Sequence, residues 1–149
     1  MLVPFCAVGL TTLYSFTGRQ GEALRAIRAM LDALPPMTPA ELRAASSAHR
    51  AMRLLGAAGM TARPLRAPHY SISPAGMFGS ELAPGELSFA HLGALVMLEA
   101  PRFRAGILRA LPDVLRRGHS RGMGASPVAV VLHAEGETTD LETMTTDHQ

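Results

Sequence analysis

The sequence contains no lysine: all 14 of its basic residues are arginine. That absence excludes a Schiff base, a serine–lysine pair and a phosphate loop that grips its phosphates with lysine. Tryptophan is missing too, and aromatic residues make up only 5% of the chain, so Leu, Val, Ile, Met and Ala must fill the core. A single cysteine, Cys6, leaves no internal disulfide and no multi-cysteine metal site. The six histidines (His49, His69, His91, His119, His133 and His148) show none of the short helical spacings that bind zinc, so no metal site is expected. Charge is absent from residues 1–18, the first cation being Arg19. The apolar start therefore lacks the basic flank of a secretory signal, and it is too short and interrupted for a membrane span. A buried strand, a cytoplasmic location and no membrane partner are the expectation.

What is present suits one globular domain: 149 residues, 48% hydrophobic and 17% charged. The charge is uneven. Residues 135–149 carry Glu135, Glu137, Asp140, Glu142 and Asp147 and no arginine, which leaves residues 1–134 with a formal charge of +7. A basic body fits contact with nucleic acid or another polyanion, and equally fits arginines that are merely solvated. No interleaving of arginine with aromatic residues marks a single-strand binding face.

Along the chain, Leu13-Tyr14-Ser15-Phe16 is a short strand-prone run ended by Thr17-Gly18. Leu24, Ile27, Leu31 and Leu34 then recur at helical steps until Pro35-Pro36. Thr38-Pro39-Ala40-Glu41 reads as a capping box opening a second helix to about Leu55. Residues 60–88 are rich in Gly, Pro and Ser. Within and just beyond them, His69–Ile72 and Glu86–Phe89 could pair as a hairpin or lie in ordered loop. Leu92–Leu98 is a continuous apolar run, as for a strand covered on both faces. A helix over 102–117 follows, with Gly118 beyond its end, and Val128–Leu132 is another buried-type strand. Strands alternating with helices predict an α/β fold with a parallel sheet: Leu13–Phe16, Leu92–Leu98 and Val128–Leu132 as neighbours, and helices packed on both faces.

Several consecutive segments resemble the magnesium-chelatase-like AAA+ ATPases, especially the branch of the competence protein ComM. Arg63-Pro64-Leu65-Arg66-Ala67-Pro68-His69-Tyr70-Ser71-Ile72-Ser73 is similar to that family's RPFRAPHHTIS signature. Leu34–Thr38, Pro84–His91 and Leu108–Leu111 match further family segments, and Gly93–Phe103 parallels the Walker B strand. The match is clearest over 34–121. The resemblance implies a three-layer parallel sheet of P-loop NTPase, AAA+ type, here incomplete and without a lid domain. It divides the chain into a degenerate core at 1–134 and an acidic tail at 135–149, expected to be disordered.

The family uses ATP and Mg²⁺. Carried onto this sequence, its Walker A motif falls on Thr17–Leu24, where Gly18 and Gly21 remain as the degenerate cofactor-binding positions. Ala23 stands for the lysine, Leu24 for the Mg²⁺-binding hydroxyl, and Glu22 puts negative charge where phosphate would sit. The Walker B carboxylate falls on Leu98, and the water-activating glutamate survives as Glu99, the one catalytic position left. The sensor asparagine falls near Glu135. The resemblance, with these departures, implies a domain without ATPase activity and with no bound cofactor. Such a domain would act by contact with an intact AAA+ subunit or as a homo-oligomer. The alternatives are a DNA-associated module of a ComM-like system, using the arginine-rich body, or a non-functional gene remnant.

Overall fold

The computed structural model describes residues 1–55 and 59–135; the expected acidic tail lies, beyond Glu135, outside the described residues. Two strands open the chain, β1 (Val3–Val8) and β2 (Thr11–Thr17). Two 13-residue helices follow, α1 (Gln20–Asp32) and α2 (Pro39–Ala51). The middle of the chain contributes a two-residue strand β3 (Leu65–Arg66) and the short helices α3 (Pro74–Phe78) and α4 (Glu86–Phe89). Then come β4 (Ala94–Met97), α5 (Ala105–Arg117), the small hairpin of β5 (His119–Ser120) and β6 (Met123–Gly124), and β7 (Ala129–Ala134).

The main sheet has the order β1-β2-β7-β4-β3. Its pairs β2–β7, β7–β4 and β4–β3 are parallel, and β1 alone runs antiparallel, against β2. Alternation along each strand sends side chains to opposite faces. Leu13, Leu95, Met97, Val130 and Leu132 point to one face, where α5 covers them with Ile107, Leu111 and Leu115. Phe16, Ala94, Val96, Ala129 and Val131 point to the other, under Ala23, Ile27 and Leu31 of α1. The three expected strands are thus adjacent in one parallel sheet with helices on both faces, a mixed α/β arrangement of the P-loop NTPase kind.

The structure corrects several local expectations. The apolar N-terminal run is a strand but not a buried one: it forms the sheet's edge, with Val3 at 38% exposure. An edge strand has a neighbour on one side only, so hydrophobicity did not translate into burial. The second helix ends at Ala51, and Arg53 then turns with φ of 55°. The third long helix starts at Ala105, because Ala100–Arg102 makes a separate 3₁₀ turn. No hairpin joins 69–72 to 86–89; Glu86–Phe89 is a single helical turn, although its β-prone composition reads as extended.

Candidate functional site

In parallel α/β sheets ligands bind beyond the carboxyl ends of the strands. Three strand ends converge there: Thr17 of β2, Ala134 of β7 and, one residue past β4, Leu98 and Glu99. The β2–α1 connection is short. Gly18 takes φ of 138°, a backbone region closed to other residues, and its N–H donates to the Ala134 carbonyl at 3.2 Å. Only Gly18 and Arg19 lie between strand and helix. Gly21 and Glu22 already belong to the first turn of α1, and the Ala23 N–H donates to Arg19 at 3.1 Å as an ordinary helical bond. The Ala23 side chain is fully buried against the sheet.

Glu99 sits in a left-handed conformation, φ 54° and ψ 51°, uncommon for a residue with a side chain. Two interactions hold it. Its N–H donates to His133 Nδ1 at 3.1 Å, and its carboxylate accepts from Arg102 at 3.3 Å. His133 on β7 is completely buried. Since Nδ1 accepts from Glu99, the ring proton resides on Nε2, which donates to the Gly18 carbonyl at 2.6 Å. One imidazole therefore ties the β2–α1 turn to the end of β4. Sequence reasoning passed over His133 as one of six scattered histidines. Its partners lie 115 and 34 residues away, a separation that no local spacing reveals.

Beside this bridge lies a cavity of about 340 Å³ whose lining includes Gln20, Pro68, His69, Tyr70, Leu98 and Glu99. The His69 and Tyr70 rings are 4.0 Å apart, and the Arg102 guanidinium lies 3.8 Å over Tyr70. Of the site positions expected from the sequence, Gly18 and Glu99 come together through His133. Gly21 does not join them, being absorbed into α1.

Arg63 and Arg66, in the same 63–73 segment, bond to the fold itself. Arg63 donates to the carbonyls of Leu92 at 2.8 Å and Pro35 at 3.2 Å, joining the approach to β4 to the exit of α1. Arg66 clasps Glu86 with two bonds, at 2.7 and 2.9 Å, and lies over the Phe89 ring at 5.2 Å. That fork raises the Arg66 pKa further above its ordinary value. These arginines hold the segment between β3 and α4 in place. No group of three or more metal-ligating side chains is present among the described residues.

The pattern of the family described as magnesium chelatase, subunit ChlI, matches residues 7–122, well over half of the chain. The chain belongs to that family. Among curated proteins it is similar to the uncharacterized protein YifB of Salmonella typhimurium, 43% identical over 58 residues, and to YifB of Escherichia coli, 41% identical over 58 residues. Each match takes in 38% of this chain and 12% of the relative, so the chain spans a small part of those proteins. Within this magnesium-chelatase domain the described helices include none long and apolar enough to cross a membrane.

A buried histidine, His49, and a half-buried one, His91, make the domain's stability depend on pH. His49 of α2 packs edge-on to Phe89 at 5.1 Å, and burial, aided by the nearby Arg66 charge, lowers its pKa; Glu86 acts in the opposite sense. His91 accepts from the Ser126 N–H at 3.0 Å, and burial lowers its pKa as well. The unfolded chain therefore binds protons that the folded one refuses. Stability is fully present above the ordinary histidine value of 6.5 and falls as the pH drops below it towards the depressed folded values. Urea midpoints measured at several pH values from 7.5 downward should decline below 6.5. His91→Asn, which keeps an acceptor for Ser126 and does not titrate, should make that decline shallower.

Proposed function

We propose that this domain has left nucleotide hydrolysis and works through contact with other proteins, its partner an intact AAA+ subunit or another copy of itself. The observation that carries the reading is the start of α1 at Gln20. A phosphate cradle needs a loop whose successive N–H groups point at the anion. Here the connection is two residues, and the next positions are spent on helical turns. At the positions that the family resemblance assigns to nucleotide chemistry, Ala23 is buried, Leu24 has no hydroxyl and Leu98 no carboxylate. The residues present do not fit a nucleoside triphosphate with Mg²⁺. Glu99 keeps a carboxylate at the right strand end but has turned it towards Arg102. Phosphoryl transfer rests almost wholly on positioning and electrostatics, so these changes remove its means.

The test is a pair of measurements. Purified protein with ATP and Mg²⁺ should release no phosphate above background, and Glu99→Gln should leave that background unchanged. Hydrolysis by the wild type that vanishes in Glu99→Gln overturns the reading. Hydrolysis that persists in the variant is a contaminant.

The second reading, a DNA-associated module of a ComM-like system, is supported by the +7 charge of residues 1–134. Arg28, Arg66, Arg102 and Arg116 face carboxylates that this net figure already subtracts. Others are dispersed over α1, α2 and α5. DNA affinity that falls steeply with salt would favour this reading.

A further inference from the structure

We propose that the acidic stretch of this chain, residues 136–149, docks back onto the chain's own fold, in a groove between the end of α2, the 79–85 loop and the β5–β6 hairpin. Two adjoining cavities of about 210 and 370 Å³ form the groove, and Ser80, Ser120 and Arg121 line both. Its walls are fastened to each other: the Ser120 hydroxyl donates to the Phe78 carbonyl at 2.5 Å, tying the hairpin to the foot of the loop. The loop is closed by its own bonds. The Ser80 N–H donates to the Ala83 carbonyl at 2.9 Å, and the Leu82 N–H donates to the Ser80 hydroxyl at 3.2 Å. Leu82 is left 95% exposed, and Met52, which lines the same cavity, is 43% exposed. Two such side chains beside a cavity call for an apolar cover.

The cover must also be acidic. Arg50 and Arg53 stand either side of Ala51-Met52, Arg121 lines both cavities and Arg117 lines the second. All four are exposed, and none forms an ion pair with a described residue. Glu81 is the single acidic residue in either lining. Residues 136–149 have the matching chemistry: Glu137, Asp140, Glu142 and Asp147 surround Leu141 and Met144, with no arginine among them. With Glu135 they bring the +7 of residues 1–134 to the +2 of the whole chain. The stretch also reaches. The groove opens beside Ser120, ahead of β7, and the stretch leaves from the far end of that six-residue strand, about 20 Å away. The seven residues from Glu135 to Glu142 span up to about 25 Å when extended. Attachment to the same chain raises its effective concentration to about millimolar, which favours it over a free acidic partner. DNA would satisfy the arginines and leave Leu82 and Met52 uncovered.

Fluorescence anisotropy with a labelled synthetic peptide of residues 135–149 tests this. Added to the full chain, the peptide should bind weakly, because the attached copy already holds the groove. Added to the full chain carrying Leu141→Ser and Met144→Ser, it should bind about tenfold more tightly or better, with a micromolar Kd. Arg121→Glu in that variant should weaken binding by about tenfold, and rising salt should weaken it too. Amide exchange at 80–84 and 121–124 should run faster in the Leu141→Ser/Met144→Ser chain than in the wild type, with α1 unchanged. Equal affinity for the two chains, binding to neither, or binding indifferent to Arg121→Glu overturns the proposal. So does wild-type protection of 80–84 that rises with protein concentration, which marks docking between copies. Displacement of the peptide by short duplex DNA as readily as by unlabelled peptide marks a site that reads charge alone, and overturns it as well. Should Arg121→Glu disturb the fold by circular dichroism, the exchange comparison decides alone. The docking does not depend on the contact reading: ATP turnover would sink that one and leave this untouched.

Discussion

Gly93→Ala should cost the fold about 3 kcal/mol or more and leave little soluble protein. Gly93 leads into β4 and is fixed on both sides. Its N–H donates to Ala90 at 2.8 Å, and its carbonyl accepts from Val128 at 2.8 Å, which docks β7 beside β4. A methyl group there would run into the carbonyl oxygen of Pro64 and lie 2.7 Å from the Pro64 ring. These obstacles are backbone and a rigid ring, so the collision cannot be relieved by rotating a side chain. Pro64 itself accepts from the Ala94 N–H at 2.9 Å, so moving it breaks the β3–β4 approach. Domains of this size are stable by about 5–15 kcal/mol, so the expected loss is a large share of the total. Gly106→Ala is the control. It lies in α5 with open space around it, and the same methyl should be neutral or stabilise by about 0.5 kcal/mol. Equal effects at both positions, read from urea unfolding, would refute the steric argument.

His133→Leu should destabilise by about 2–4 kcal/mol, because it strips two main-chain groups of their partner at once. The Gly18 carbonyl loses its donor and the Glu99 N–H loses its acceptor. Leucine fills similar volume, so the loss measures polar satisfaction more than packing. His133→Gln, whose amide both donates and accepts, should recover part of it. The readout that separates a bridge from a mere core residue is local. Exchange at the Glu99 amide should accelerate in His133→Leu beyond the general loss of stability. An unchanged Glu99 amide, or a leucine variant as stable as the wild type, would show that the imidazole bridge contributes nothing.

The parts of the fold legible in the sequence are those whose residues report their own surroundings. The runs at 92–98 and 128–132 are apolar at consecutive positions because both faces of β4 and β7 are covered. Thr38 and Glu41 announce the start of α2, and the structure closes both bonds of the box, at 3.0 and 3.2 Å. The illegible parts depend on distant partners. Whether Val3–Val8 is central or peripheral is decided by how the sheet is ordered, which its own residues do not encode. Glu86–Phe89 is helical despite its extended propensity, and Gly85, which precedes it, passes close against Gly79 and Met77, a tertiary contact that the segment's own residues do not announce. The family resemblance singled out Gly18 and Glu99 as candidate positions, while the residue joining them, His133, carried no motif at all. Arg63 and Arg66 were conspicuous in the motif, but only the geometry shows that they brace the fold.

On the proposed reading, the short β2–α1 connection would also limit any route back to catalysis. If Ala23 is where a phosphate-gripping lysine would stand, restoring that lysine means placing an ammonium group in the stripe formed with Ile27 and Leu31, closed to water. A single codon change would thus disrupt the core before it gained a ligand. Recovery would require lengthening the turn first, so that α1 begins later and its leading residues are released from the sheet. If catalysis was lost here as proposed, the loss would work as a ratchet: each apolar residue settled into the short junction would make a nucleotide-binding arrangement harder to reach by stepwise substitution.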